Sequence, residues 1–200
     1  KRMEPKEKTV FLISFVLPCL LMMLIMAVLH ITPFGDNTFL YDDMKRQYID
    51  FYAYYRNVWH GQDSFLYSFS NGLGGNMTGF CAYYLMSPLL IPFIFLPQSC
   101  FPVALSFLIA FKCAFCGLTC SLFLRSFCQI EEESGRLSAL PVFSTSYALS
   151  GYMMANLTNT MWIDAVAMLP LLLLTCDRML DAPVQKRRRT AAYIRCTAVT

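Results

Sequence analysis

The chain has 200 residues, of which 56% are hydrophobic, 15% are aromatic and only 14% are charged, and its mean hydropathy is +0.47. A soluble domain carries about a quarter charged residues, so this composition excludes an ordinary soluble protein and indicates a membrane protein. The net charge of +3 is small and does not favour nucleic acid as a partner. The basic residues instead gather near the two ends of the chain, at 1–8 and 186–189.

The first predicted membrane span covers residues 10–31, an uncharged apolar run that is long enough to cross a bilayer as a helix. Pro18 should kink this helix, which membrane helices tolerate. Because the basic residues of 1–8 precede the span and few follow it, we expect the N-terminus in the cytoplasm. A cleavage site after a short apolar core is absent from the sequence, so the span is predicted to be an anchor and not a cleaved signal peptide.

An outer loop, residues 32–79, is predicted to follow this span and to contain an amphipathic helix from Asp43 to Trp59. The acidic face of this helix contains Asp43, Gln47, Asp50, Tyr54 and Asn57, and the aromatic face contains Met44, Tyr48, Phe51, Tyr52, Tyr55 and Trp59. Such a helix is expected to lie at the membrane surface with its aromatic face as an anchor. The glycines of 71–76 (NGLGGN) are interpreted as a turn, because the lysine and the preceding strand of a phosphate-binding loop are missing.

The remaining apolar runs allow two topologies. Residues 102–124 form an unambiguous span, whereas 80–97 contains three prolines and could be a re-entrant segment, a surface segment or a further span. If 80–97 crosses fully, the basic cluster at 186–189 lies outside, against the positive-inside tendency. If it does not, spans at 137–155 and 163–180 return the chain to the cytoplasm. We favour this four-span arrangement.

These predictions together describe an all-α, multi-span bundle of transmembrane helices. Residues 1–200 are expected to be the N-terminal part of one polytopic membrane domain in a longer protein. The four-span topology places Asp164 on the same outer side as Asp36 and Asp43, whereas five crossings place it on the opposite side. This difference decides whether the three carboxylates could share one site.

The carboxylates of the outer loop are the first candidates for chemistry, since such groups are costly near a bilayer unless they are paired, hydrated or functional. Asp36 could also be a simple turn residue. Asp42 is well placed as the N-cap of the amphipathic helix. Asp43 begins the polar face and could act as a general base on an acceptor hydroxyl.

Lys112 is the second unusual feature, because it lies near the middle of an otherwise uncharged span. An intramembrane cation is expected to pair with a lipid phosphate or a carboxylate, and the alternative is a structural ion pair with a span outside this sequence. Cys113, Cys116 and Cys120 share a helix face with metal-ligand spacing, but we interpret them as small packing residues. No metal or other cofactor is indicated, although the pattern is compatible with a divalent metal. The residues alone therefore indicate no reaction.

Three segments in this order resemble the N-terminal part of YfhO-type bacterial membrane proteins: PFGDNTFLYDDMKRQYIDFYAYYRNVWHG, FLYSFSNGLGGNMTGFCAYYLMSP and SYALSGYMMANLTNTMWIDAVAMLPLLLL. The resemblance extends over about residues 33–174 and rests on the elements GD, D-x-x-x-QY, YS-x-x-x-GLGGN, AYYL-x-SP and MW-x-D-A. It implies a glycosyltransferase of the GT-C fold. Family members are implicated in adding sugars to cell-surface polymers such as lipoteichoic acid, from a polyprenyl-phosphate-linked donor.

The resemblance also implies a site on the outside of the bacterial cell membrane, with the donor, the cell-wall polymer and the bilayer as partners and no nucleic acid. The expected catalytic residues are Asp43, Asp36 and Asp164. The expected substrate-binding residues are Gln47, Tyr48, Asp42, Lys112 and Trp162, with Lys112 assigned to the donor phosphate. Two alternatives stay open, namely a transporter or flippase of lipid-linked sugars and a non-catalytic membrane scaffold.

Overall fold

The structure, a computed structural model, describes residues 5–70, 72–131 and 135–181. These residues are mostly helical and include one small hairpin, which confirms the predicted helical membrane class. The α-helices are α1 (Pro5–Val28), α2 (Ile49–Trp59), α3 (Thr78–Phe80), α4 (Ile91–Phe95), α5 (Phe101–Phe127), α6 (Leu140–Ala148), α7 (Gly151–Ala155) and α8 (Thr160–Asp181). Shorter helical turns are two π-helical turns, Met44–Tyr48 and Cys81–Leu85, and three 3-10 turns, Pro88–Leu90, Gln98–Cys100 and Gly135–Ala139. The basic cluster at 186–189 and residues 1–4 lie outside the described residues.

The chain divides into two compact units. The first unit contains the described residues of Lys1–Pro18, Ala114–Ser150 and Ala165–Thr200. The second unit contains those of Cys19–Cys113 and Gly151–Asp164. The long helices α1, α5 and α8 each contribute to both units, whereas the predicted outer loop lies wholly within the second.

In the first unit, α1 and α5 run antiparallel. Near the start of α1, Glu7 Oε1 lies 3.1 Å from Nε of Arg125, near the end of α5. Further along α1, the Ser14 carbonyl and the Pro18 ring lie so close to Gly117 that any Cβ there would collide with them. As the contacts advance along α1 they therefore move back along α5. In the same unit, the Tyr147 hydroxyl of α6 donates a hydrogen bond to the Val166 carbonyl of α8 at 2.7 Å.

Two helical segments of the described chain, Pro5–Val28 and Gln98–Phe127, are long and apolar enough to cross a membrane. The apolar pair Thr78–Leu85 and Pro88–Phe95 would be a third only as one broken span, and its halves are bent by 88°. If the two long segments cross the bilayer antiparallel, the chain between them begins and ends on the same side, which favours a re-entrant segment over a full third crossing. The spans expected at 137–155 and 163–180 stay predictions.

In the second unit, α2 is packed against α4 and the π-helical turn Cys81–Leu85. The centroid of the Tyr52 ring lies 5.0 Å from that of the Phe93 ring, and Arg56 Nε donates a hydrogen bond to the Leu96 carbonyl at 2.9 Å. The aromatic face that was predicted to anchor the helix in the membrane is instead buried against protein at Tyr48, Tyr52 and Tyr55, and only Trp59 is largely exposed. The apolar residues of 78–101 provide a protein partner for this face. Tyr54, which the helical period places on the acidic face, is also buried and donates its hydroxyl to the Ser64 carbonyl.

The glycine cluster forms the turn of a hairpin, as predicted. Strands β1 (Tyr67–Ser68) and β2 (Gly75–Asn76) pair antiparallel, with Tyr67 opposite Asn76. Gly72 and Gly74 have φ values of +62° and +107°, which only glycine adopts readily. At Gly74 a Cβ would also collide with the Tyr67 hydroxyl. The turn therefore depends on glycine at this position.

Candidate active site

A buried ion pair in the second unit joins the middle of α5 to the N-terminal part of α8. Lys112 Nζ lies 2.7 Å from Asp164 Oδ1 and donates a second hydrogen bond to the Thr160 carbonyl, also at 2.7 Å. Because Thr160 and Asp164 are four residues apart on one helix, the carbonyl and the carboxylate lie on the same face. Lys112 is only 1% exposed and Asp164 is 30% exposed. The carboxylate partner expected for Lys112 thus lies within this sequence, and not in a span outside it.

Helix α2 and the π-helical turn that precedes it contact the same end of α8 through two tyrosines that are four residues apart, Tyr52 and Tyr48. The Tyr52 and Thr160 hydroxyls are 2.6 Å apart, and the Tyr48 hydroxyl donates to Asn159 Oδ1 at 2.9 Å. The Asn159 amide in turn donates to Asn156 Oδ1 at 3.3 Å. The predicted first outer loop and the start of α8, about a hundred positions apart in sequence, are therefore joined by side-chain hydrogen bonds.

The environment keeps both tyrosines protonated. Burial, followed by the charge of Asp43, raises the pKa of Tyr48 to about 12. Burial also raises the pKa of Tyr52, with a further contribution from Asp164 and an opposing one from the hydrogen bond to Thr160. Both hydroxyls can therefore act as donors at neutral pH, and each tyrosine lies within the electrostatic range of one candidate carboxylate.

An open groove of about 380 Å³ lies beside this network. It is lined by Asn76, Gly79, Phe80 and Tyr84. The Tyr84 ring centroid lies 5.3 Å from that of Tyr48, the residue on which the Asp43 charge acts. Asp43 is exposed, as is Gln47 one turn further along the same polar face. The groove can thus offer an aromatic wall, an amide and a solvent-accessible carboxylate in its vicinity.

Two other predicted site residues have a different setting. Asp36 is exposed on a tight loop, in which the Thr32 amide donates to the Asn37 carbonyl at 2.7 Å. Within the described chain, no recorded side-chain contact joins Asp36 to Asp43 or Asp164. Asp42 has a left-handed φ of +44°, whereas an N-cap residue normally has an extended backbone. The N-cap position of the first helical turn belongs to Asp43, whose side chain makes no capping hydrogen bond among the described residues. The capping interpretation of Asp42 is therefore wrong.

Trp162, the remaining predicted residue, donates its indole N–H to the Tyr83 hydroxyl at 3.0 Å. Sequence reasoning did not single out Tyr83, Asn159 or Thr160, and it placed Tyr52 only on an aromatic face. The spacing of four residues between Tyr48 and Tyr52 was the one available signal that both side chains could contact the same neighbouring helix. The polar pair Asn159-Thr160 just before an apolar run is typical of a helix N-terminus, and it was the available signal for the start of α8.

The cysteines of α5 offer no metal centre in the structure. Cys113, Cys116 and Cys120 are all buried in the protein interior. Among the described residues, no group of three or more His, Cys, Asp or Glu side chains could hold a metal ion. This burial agrees with the interpretation of the cysteines as packing residues.

A comparison with protein families shows to which family this chain is related. The profile of a family described as bacterial membrane protein YfhO matches residues 14–200. The chain belongs to the YfhO family. No curated protein and no solved structure matches it. All the residues of the Lys112–Asp164 network and of the groove lie within the part that matches the YfhO family.

Proposed function

We propose that this YfhO-family protein is a membrane glycosyltransferase that moves a sugar from a polyprenyl-phosphate carrier to a cell-surface polymer, such as lipoteichoic acid, on the outer face. The observation that supports this best is the exposed Asp43 beside an open aromatic groove, in the same compact unit as Asp164. The family membership and the two long apolar helices support the membrane setting.

The proposed reaction inverts the anomeric carbon. The Asp43 carboxylate accepts the proton of an acceptor hydroxyl, whose oxygen then forms the new bond to the anomeric carbon. The bond from that carbon to the phosphate oxygen breaks, and polyprenyl phosphate leaves with the electron pair as an anion. No step of this scheme requires a redox change, and the proton on Asp43 is released to solvent afterwards.

The geometry changes the role that we assign to Lys112. Its ammonium group is buried and already held by Asp164 and the Thr160 carbonyl, so it is poorly placed to bind a donor phosphate. We propose that Lys112 is a positioning residue that fixes Asp164 and the start of α8. Gln47 and Asp42 are exposed beside Asp43 and would contact substrate. Asp36 is the second candidate for the base.

The test uses the purified full-length protein, a labelled polyprenyl-phosphate sugar and a lipoteichoic acid acceptor. Asp43→Asn should reduce transfer by roughly 10²–10⁴-fold, the usual contribution of a positioned general base. Asp50→Asn is the matched control, because Asp50 is an exposed carboxylate that lies further along the same segment, in the first turn of α2. If Asp43→Asn and Asp36→Asn both keep full activity at normal expression, the assignment of the base is wrong.

A transporter of lipid-linked sugars is the second candidate, and two observations favour it. The bent pair Thr78–Leu85 and Pro88–Phe95 resembles the broken helices of transporters, and the Lys112–Asp164 pair places charge within an apolar segment. A transporter would move the labelled lipid across a vesicle membrane without releasing sugar from it. Transfer of the sugar to acceptor by the purified protein would exclude this candidate as the sole function.

A further inference from the structure

An exposed aromatic pair, Tyr83 and Trp162, lies next to Tyr84, which lines the groove. The Trp162 indole N–H donates to the Tyr83 hydroxyl at 3.0 Å, and the two side chains remain 41% and 53% exposed. The hydrogen bond links the π-helical turn Cys81–Leu85 to the first turn of α8. Neither ring is buried in the protein core, so the pair presents an accessible aromatic surface.

The Trp162 backbone and the Tyr83 ring each have a further contact with the protein. The Trp162 backbone N–H donates to the Asn159 carbonyl at 2.9 Å, and Asn159 also accepts the hydrogen bond of Tyr48. The Tyr83 ring stands edge-on to Tyr84, with centroids 4.7 Å apart and planes at 90°. Because Tyr84 lines the groove, the aromatic surface is continuous from the groove to Trp162.

We propose that Tyr83 and Trp162 form a stacking platform for a hexose ring, which rests on the glycosyltransferase function proposed above. A pyranose has an apolar C–H face and a rim of hydroxyls, so a flat ring covers its face while nearby polar groups bind its rim. Tyrosine and tryptophan provide a large rigid contact area with little loss of conformational entropy. Asn76 in the groove wall supplies an amide for the hydroxyls.

The mutual hydrogen bond distinguishes this pair from aromatic residues that merely lie at a membrane interface. Interfacial tryptophans have an apolar body and a polar end that stays at the headgroup level. Here the polar ends of both side chains are directed to each other, which fixes the two rings relative to one another. This arrangement suits a shaped ligand more than a fluid lipid surface.

The experiment measures transfer by the full-length protein while the donor and the acceptor are varied separately. The probes are polyprenyl-phosphate-linked glucose, galactose and N-acetylglucosamine, with lipoteichoic acid as acceptor. Trp162→Ala should raise KM at least tenfold for one substrate and leave kcat within threefold. A tenfold rise in KM is equivalent to about 1.4 kcal/mol of binding free energy. A rise for the donor places the donor sugar on the platform, and a rise for the acceptor places the acceptor sugar there.

Two conservative variants make the result independent of folding. Trp162→Phe keeps a ring but loses the N–H, and Tyr83→Phe loses the accepting hydroxyl, so each should raise the same KM by a smaller factor. Trp59→Ala is the control, because Trp59 is exposed to 58% and its recorded ring contacts are with Tyr55 and Phe65. It should leave both KM values unchanged.

The proposed platform would be overturned if KM for both substrates is unchanged in Trp162→Phe and Tyr83→Phe and is also unchanged in a folded Trp162→Ala. An equal KM rise in Trp59→Ala would also overturn it, since that pattern indicates a general membrane effect. If the wild-type protein transfers none of the sugars, the proposed function fails instead. In that case equilibrium binding of the same labelled lipids to the wild-type and Trp162→Ala proteins still tests the platform, and equal affinities would contradict it.

Discussion

Replacing Asp164 by asparagine should destabilise the protein, because it removes the negative partner of a buried cation. Lys112 is only 1% exposed, and its Nζ lies 2.7 Å from Asp164 Oδ1. The asparagine keeps the shape and one acceptor oxygen but loses the charge. Lys112 keeps its hydrogen bond to the Thr160 carbonyl, so the variant weakens the polar contacts of the ammonium group but does not remove all of them.

The size of the effect follows from the unequal burial of the two partners. Breaking a fully buried ion pair costs about 3–5 kcal/mol, whereas exposed pairs contribute about 0–1 kcal/mol. Asp164 is 30% exposed, and water can reach part of the site. We therefore expect a loss of about 2–3 kcal/mol for Asp164→Asn.

A double variant separates the stability of the pair from its chemistry. Lys112→Met combined with Asp164→Asn removes both charges, and buried pairs replaced in this way often keep their stability. The thermal midpoint of the full-length protein in detergent should fall clearly for Asp164→Asn and recover for most of that loss in the double variant. Transfer activity is then measured on the folded double variant.

The reasoning would be refuted by a wild-type midpoint in Asp164→Asn, since the pair would then contribute nothing to stability. A double variant that is less stable than Asp164→Asn would refute it equally, because the remaining cation would not be the cause of the damage. If the folded double variant keeps its transfer activity, the Asp164 carboxylate has no catalytic role.

Three further predictions concern other parts of the chain. The raised pKa of Tyr48, about 12 against an ordinary value near 10, means that it contributes stability below about pH 10 that is lost as the pH rises towards 12; alkaline unfolding should be less steep over this interval in Tyr48→Phe. Gly117→Val should disrupt the contact between α1 and α5 and lower the thermal midpoint strongly, whereas Gly151→Ala, where a Cβ meets no neighbour, should change it little. If residues 78–95 are re-entrant, a membrane-impermeant thiol reagent added to intact cells should label a single-cysteine variant at Cys100 and not one at Cys128; the opposite pattern would indicate a full crossing.

The elements with a strong periodic signal could be predicted from the sequence. The first span follows from an uncharged apolar run of sufficient length, and α5 follows from a long apolar run with Lys112 as the charge near its middle. Helix α2 follows from its two-faced period. The helix α1 nevertheless begins at Pro5, several residues before the apolar run. This extension carries Glu7 into the helix, where it pairs with Arg125. Local hydropathy does not contain that partner, so the extension could not be predicted from it.

The partner of the aromatic face was the main difference between expectation and structure. Periodicity shows that Tyr48, Tyr52 and Tyr55 share a face, but it does not show what covers that face. Lipid and an apolar protein segment favour the same residues, and here the segment that contains Phe93 is the partner. The distinction depends on contacts between positions far apart in sequence, which a single sequence does not reveal.

The sequence predicted several residues of the site, but it did not predict which of them are in contact. Lys112 and Asp164 were each singled out because charges are costly in apolar segments, but their pairing joins two different helices. Tyr48 and Tyr52, which contact Asn159 and Thr160, are ordinary core residues by composition. Only the folded chain shows that their hydroxyls form hydrogen bonds with the start of α8.

This connection determines how variants of the carboxylates should be interpreted. Lys112 holds both Asp164 and the Thr160 carbonyl, and the neighbouring Asn159 holds Tyr48, on which the charge of Asp43 acts. Loss of Asp164 can therefore displace the start of α8 and alter the surroundings of Asp43 without any chemical role of its own. A loss of activity in Asp164→Asn alone does not identify a catalytic group. Activity that is retained in the charge-neutral double variant excludes a catalytic role of Asp164, because the carboxylate is absent there.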